Sequence, residues 1–148
     1  METTDYCSYE LSKALKECGF DEPCDHFYEH SWDPTKARIS ASGVYGEWDN
    51  IDAFKHNFNA IDDNRHKQSL IPYCSAPTLY QAQKWLREKG IAVSVQANEI
   101  QGELWYSADI ITIKGINELV DGGFDYMEYE AALSAGIFAA LELIKKGE

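Results

Sequence analysis

The chain has four cysteines, Cys7, Cys18, Cys24 and Cys74, but no C-x-x-C pair. That spacing marks zinc ribbons and thioredoxin-like redox sites, and its absence removes the usual sequence case for either. There is no G-x-G-x-x-G, P-loop, H-E-x-x-H, G-x-S-x-G or EF-hand loop. The motif-based grounds for dinucleotide, phosphate-cradle, zincin, serine-hydrolase and calcium-loop chemistry are therefore missing too. Basic residues are scarce, with 13 Lys and Arg against 25 Asp and Glu and a formal charge of −12. The only compact basic run is Lys145-Lys146. A field of that sign repels a phosphate backbone, so nucleic acid is not expected as a partner.

Long apolar runs are absent as well. The longest mostly apolar stretch, Ala131 to Ile144, is broken by Ser134 and Glu142 and is too short to cross a bilayer. The opening METTDYCSYE is polar and acidic and has no apolar leader core. Together these features predict a cytoplasmic protein with no membrane partner. In that compartment the cysteines are expected to be reduced, mostly buried thiols rather than two disulfides.

What is present suits a globular domain. With 148 residues and 45% hydrophobic content, residues 1–148 are expected to form a single domain with a real core. Leu11, Ala14, Leu15 and Cys18 recur at helical spacing and predict a first helix over Ser8–Cys18, with Ser8 as its N-cap. Gly19 is the expected stop, with Phe20 folding back on Leu15. Pro23 forbids more helix, and the alternation in CDHFYEHSW predicts a short strand.

Residues 31–74 read as an irregular, aromatic-rich segment between this N-terminal helix and strand and the C-terminal half. A strand over Ile39–Tyr45 fits its pattern. Ile51, Phe54, Phe58 and Ile61 have helical spacing, which marks a short helix from about Ile51 to Ile61 capped by Asn50.

The C-terminal half, Ala76 to Lys146, is far more periodic. Thr78 and Gln81 are spaced as a capping box, Leu79, Ala82 and Leu86 form a buried stripe, and Gly90 ends the helix. Ile91, Val93 and Val95 alternate as a half-buried strand, and ANEIQGE reads as a loose hairpin turn around Gly102. The strand Leu104–Lys114 is apolar on both faces and is expected to be central or covered on both sides. Ile116–Val120 is a third apolar run, followed by an Asp121-Gly122-Gly123 turn. A last helix is expected from near Asp125, with Asp125 and Glu128 as its capping box and Phe124 stapled to Tyr129. Its stripe is Tyr129, Leu133, Ile137, Leu141 and Ile144, and Ala132, Gly136 and Ala140 keep it thin. The predicted fold class is α+β: a small antiparallel sheet packed against two or three helices, with the order helix-strand-strand-(strand)-helix in the C-terminal half.

Three constellations could carry chemistry. Cys24, His26 and His30 are zinc-type donors, with Cys18, His56 or His66 as further candidates. Their spacing is poor, because a strand pairs Cys24 with His26 and a helix pairs His26 with His30. The competing reading is a buried thiol and two surface imidazoles, and no metal or other cofactor is expected. Cys74 precedes a helix, whose positive end would lower a thiol pKa, against the simpler reading of a buried small hydrophobe. Glu47, Asp49, Asp52, Asp62 and Asp63 lie in sequence beside Trp32, Tyr45 and Trp48, a mixture that suits sugar or base recognition. A pocket lined by Trp32, Tyr45, Trp48, His56 and Asp62 is the resulting ligand-binding candidate. No residue is singled out as catalytic.

The element order loosely fits a double-stranded-RNA-binding module. Asp125, Glu128 and Glu130 stand where that module needs lysines, so it is rejected. APTLYQAQKWLREKGIAVSV, the Trp-Tyr strand, Tyr-Glu-Ala-Ala-Leu and the earlier GFDEPC resemble a family of small uncharacterised proteins from bacterial phages and mobile elements. The resemblance covers roughly the first 28 and last 75 residues, and the family has no activity to carry over. It implies a cytoplasmic accessory protein; with the missing catalytic motifs and the acidic surface, the expected function is a non-enzymatic one with a protein partner. A small-ligand binder or enzyme using the 31–74 pocket is the rival. A sheet with a free edge would also allow pairing with a second copy, so a homodimer belongs among the expected partners.

Overall fold

The computed structural model describes residues 5–29, 38–41, 57, 60–62, 70–122 and 125–147. The fold is α+β, as expected. Residue contacts group the chain into two compact units, Cys7–Pro77 and Met1–Tyr6 with Thr78–Glu148.

In the Cys7–Pro77 unit, helix α1 spans Tyr9–Glu17 and opens as predicted, with the Ser8 hydroxyl accepting from Leu11 N. Gly19 adopts φ +96°, and Phe20 N then donates to Leu15 O at 2.9 Å. Only glycine takes that left-handed conformation cheaply, and the stop folds Phe20 into the core beside the fully buried Leu11 and Leu15.

Strands β1 (His26–Glu29), β2 (Arg38–Ala41), β3 (Ala60–Asp62) and β4 (Leu70–Ser75) form an antiparallel sheet in the order β2-β1-β4-β3. The first part of the expected Ile39–Tyr45 strand is therefore present in β2. The end of the expected Ile51–Ile61 helix is not: Ala60 and Ile61 are strand, paired with Pro72 and Ile71. Residues 51–56 lie outside the described residues.

Strand β4 escaped the sequence reading because Pro72 interrupts it. Proline is tolerated here because β4 divides its pairing. Residues 70–72 meet β3, whereas pairing with β1 begins only at Tyr73.

Asn57 joins two parts of this unit. Its Nδ2 donates to Phe20 O and its Oδ1 accepts from Ser75 N, both at 2.9 Å. The turn after α1 is thus tied to the end of β4 through one side chain. Tyr28 makes a comparable link, donating from Oη to Cys7 O at 2.6 Å.

In the other unit, helix α2 spans Leu79–Glu88 and carries the full capping box. Gln81 N donates to Thr78 Oγ1, and Thr78 N donates to Gln81 Oε1. Strands β5 (Ile91–Ile100), β6 (Glu103–Thr112) and β7 (Asn117–Leu119) form a three-stranded antiparallel sheet with β6 central. A 3-10 turn follows at Val120–Gly122, and helix α3 runs from Tyr129 to Lys145.

Helix α3 starts later than Asp125, and the expected capping box is not formed. Glu128 is the N-cap and makes no side-chain cap bond. The cause lies just upstream, where Tyr126 is held extended by exchanging backbone hydrogen bonds with Tyr106 at 2.7 and 3.3 Å. Phe124 lies outside the described residues.

The expected thinness of α3 has a direct counterpart. A Cβ on Gly136 would stand 2.5 Å from Val93 Cγ1 and 3.1 Å from Ala108 Cβ. Leu133, Ile137 and Leu141 are buried as the stripe predicted, while Tyr129 is exposed. Strand β6 is central but not covered on both sides, since Ile111 is 48% exposed and Leu104 57%.

Candidate interaction surface

The β5–β6 hairpin is longer and tighter than its sequence suggests. Ten consecutive pairs run from Ile91↔Thr112 to Ile100↔Glu103, taking in most of the expected ANEIQGE loop. The turn is two residues, Gln101 and Gly102, with φ +51° and +83°. Positive φ at both positions matches a type I′ turn, whose twist follows that of the strands. Glu99 Oε2 accepts from Gly102 N at 3.0 Å and braces the turn.

Burial falls off along β5. Ile91 and Val93 are buried, Val95 is half-buried, and Gln96–Ile100 are all exposed. The last half of the strand therefore projects past the helices that cover the first half.

The other edge of β5 is open: among the described residues no strand pairs with it. The hydrogen-bond alternation tells which groups face outward. A two-residue turn makes Ile100↔Glu103 a hydrogen-bonded pair, so the even-numbered residues of β5 bond to β6. At the opposite end, Ile113 N donates to Gly90 O, in phase with that pattern. On β6, Tyr106 and Thr112 direct backbone bonds away from β5, to Tyr126 and Ile116. The backbone groups of Ile91, Val93, Val95, Ala97 and Glu99 consequently point out of the sheet. Gln83 Nε2 of α2 donates to Val93 O at 2.7 Å, so one of these acceptors has a side-chain partner.

The charges along this edge are unevenly placed. Glu99 is the only charged residue in β5, and Glu103 lies across the turn from Ile100. At the other end, α2 leads into β5 through Lys84, Arg87, Glu88 and Lys89, all exposed, three basic residues to one acidic. Lys89 Nζ sits 4.6 Å from the centroid of the Trp85 ring. The edge carries no proline and no lysine, two of the devices that usually keep a free strand from pairing.

The sequence-derived candidates fall elsewhere. Trp32, Tyr45, Trp48 and His56 lie outside the described residues. Asp62 closes β3, where its backbone pairs with Leu70. Of the zinc candidates, His30 and His66 lie outside the described residues. The Cys24 thiol is buried and donates to Glu22 O at 3.4 Å, while His26 Nδ1 contacts Asp25 Oδ1 at 2.9 Å. Among the described residues, no group of three or more His, Cys, Asp and Glu is placed to hold a metal ion.

The activated-thiol reading of Cys74 is overturned. Cys74 is buried in β4, four residues before the α2 N-cap Thr78, and burial pushes its pKa up to about 11 against the lowering pull of Lys16 and Lys13. Cys24 is pushed up to about 12, first by burial and then by Asp25. Burial raises Cys7 as well. These groups stay protonated at neutral pH and serve as small apolar fillers.

A free sheet edge is expected from the sequence, but its place on β5 is not legible there, because residues 96–100 show no apolar alternation. The one available signal was Gly102, which suits positive φ next to a strand. No protein-family profile, curated protein or solved structure matches this chain.

Proposed function

We propose that this protein is a non-enzymatic interaction protein that binds an extended peptide segment along the open edge of β5. The observation that carries the reading is the row of outward backbone groups at Val95, Ala97 and Glu99, on a strand whose end projects beyond its helix cover. An added strand satisfies such groups with main-chain hydrogen bonds, and alternate side chains then set specificity. The resemblance to small phage and mobile-element proteins supports an accessory role of this kind. So does the shortage of recognisable catalytic motifs in the sequence.

The test is selection of peptides from a random library against the immobilised chain, followed by amide exchange on the complexes. Binders should protect the amides of Val95, Ala97 and Glu99. Ala97→Pro removes one outward donor without touching the bonds to β6, and it should weaken binding at least about tenfold. Protection confined to the helices, or undiminished binding by Ala97→Pro, would reject the reading.

A further inference from the structure

We infer that the strand this edge accepts is β5 of a second copy, paired antiparallel about a two-fold axis at Val95. The inference rests on the edge-pairing function proposed above and names its partner. Five residues face outward, Ile91, Val93, Val95, Ala97 and Glu99, and Val95 is the middle one. Full overlap of two copies therefore pairs Val95 with itself, Val93 with Ala97 of the other copy, and Ile91 with Glu99 of the other copy. Every pair joins two outward-facing residues, so each can exchange both of its backbone hydrogen bonds. The carbonyl of Val93 has a second lone pair and can keep its bond from Gln83. The result is one six-stranded sheet in the order β7-β6-β5-β5-β6-β7, and an isologous interface that closes on itself.

Charge selects this register. Gln83 marks where α2 flanks the edge, beside Val93. Arg87 is one helical turn further along the same face of α2, a rise of about 6 Å. Two residues back along β5 from Val93 is about 6.6 Å, which brings the chain to Ile91. Arg87 thus stands beside Ile91, where full overlap delivers the other copy's Glu99. Odd-numbered β5 side chains share the helix-bearing face with Val93, which packs under α3 at Gly136, so Glu99 arrives on the side where Arg87 stands. Two such pairs form by symmetry. Pairing also suits the bulk of the helices, because antiparallel overlap puts the two copies of α2 at opposite ends of the joined strands. The paired strands bring together only one charged residue per copy, despite a net charge of −12 on each.

The deciding experiment is sedimentation equilibrium of the full chain at 0.15 M salt over micromolar to millimolar concentrations. The mass should rise from 16.8 kDa toward twice that value. Ala97→Pro should weaken association at least about tenfold, since two symmetric hydrogen bonds are lost. Glu99→Gln keeps an acceptor for Gly102 N but loses the charge, and should weaken it about threefold. Glu99→Arg and Arg87→Glu should each weaken it about tenfold, and the two together should return it to within about threefold of the parent. A single-chain mass at every concentration overturns the inference, as does a dimer indifferent to Ala97→Pro or a double variant that associates no better than either single variant. If the chain stays single while library peptides still protect Val95, Ala97 and Glu99, only the identity of the partner falls. If neither pairing occurs, the proposed function falls with it.

Discussion

Both units have an apolar core, but they differ in how their distant parts are tied together. In the 78–148 unit α3 carries a buried apolar stripe and lies against Val93 and Ala108, where the closest approach is set by the missing side chain of Gly136. In the 7–77 unit, single polar side chains tie distant backbone together, as Asn57 does for Phe20 and Ser75 and Tyr28 does for Cys7. Four cysteines also fall in this second unit and none in the first. Apolar stripes spread stability over many contacts, whereas side-chain links concentrate it in a few bonds. The two regions should therefore fail in different ways.

The largest effect is expected in the striped unit. Ile137→Ala leaves a cavity under a fully buried side chain. It should cost about 2–5 kcal/mol in urea unfolding, with faster exchange throughout β5 and β6. A loss confined to α3 amides would break the picture of a shared core.

Alkaline pH should single out the other unit. Cys24 and Cys74 carry pKa values raised to about 12 and about 11 from 9.0. Above pH 9 the unfolded chain releases these protons while the folded chain holds them, so stability falls as pH rises through the folded values. It is fully present below pH 9. The slope is about 1.4 kcal/mol per pH unit for each thiol. Cys24→Ala with Cys74→Ala should lower that slope in residue-resolved exchange, leaving the part that buried Cys7 contributes, and an unchanged slope would contradict the assignment.

Asn57→Ala removes both links to Phe20 and Ser75 and should cost about 1–3 kcal/mol, read as faster exchange at Ser75 N. Asn57→Asp keeps the acceptor and loses the donor, so it should cost less. Gly102→Ala tests the hairpin turn alone. A Cβ there meets nothing within 4 Å, and only the φ of +83° opposes it. About 1 kcal/mol is expected, with exchange rising between Ala97 and Trp105. The smallest effect belongs to Leu104→Ser on the exposed end of the ribbon, within about 0.5 kcal/mol in urea unfolding.

The same contrast decides what could be read in advance. Ser8, Gly19, Thr78 with Gln81, and the Leu133-Ile137-Leu141 stripe act within a few residues of themselves, and sequence spacing reveals that kind of interaction. Asn57 acts on Phe20 and Ser75, which lie 37 and 18 residues away, and no local pattern records such a link. The start of α3 departs from its local pattern for a similar reason. Asp125 and Glu128 have the right spacing for a cap, but Tyr126 is claimed by Tyr106 across the sheet. A free edge is expected, but which strand carries it is not legible, because outward backbone groups leave no mark on side-chain composition.

One detail of the backbone bears on how such a chain can be cut. Tyr6 forms a β-bridge with Thr78, and one residue further in, Cys7 N donates to Pro77 O at 2.9 Å. The two ends of the 7–77 segment are therefore neighbours, and so are the two positions of the other unit that flank it. This is the geometry of a guest inserted into a host. A short glycine splice from Tyr6 to Thr78 spans a gap that the host already holds closed, and the excised guest begins and ends at one point. During translation the order is fixed as well: the host's first strand-forming residue must wait for the whole guest to be made before its partner arrives.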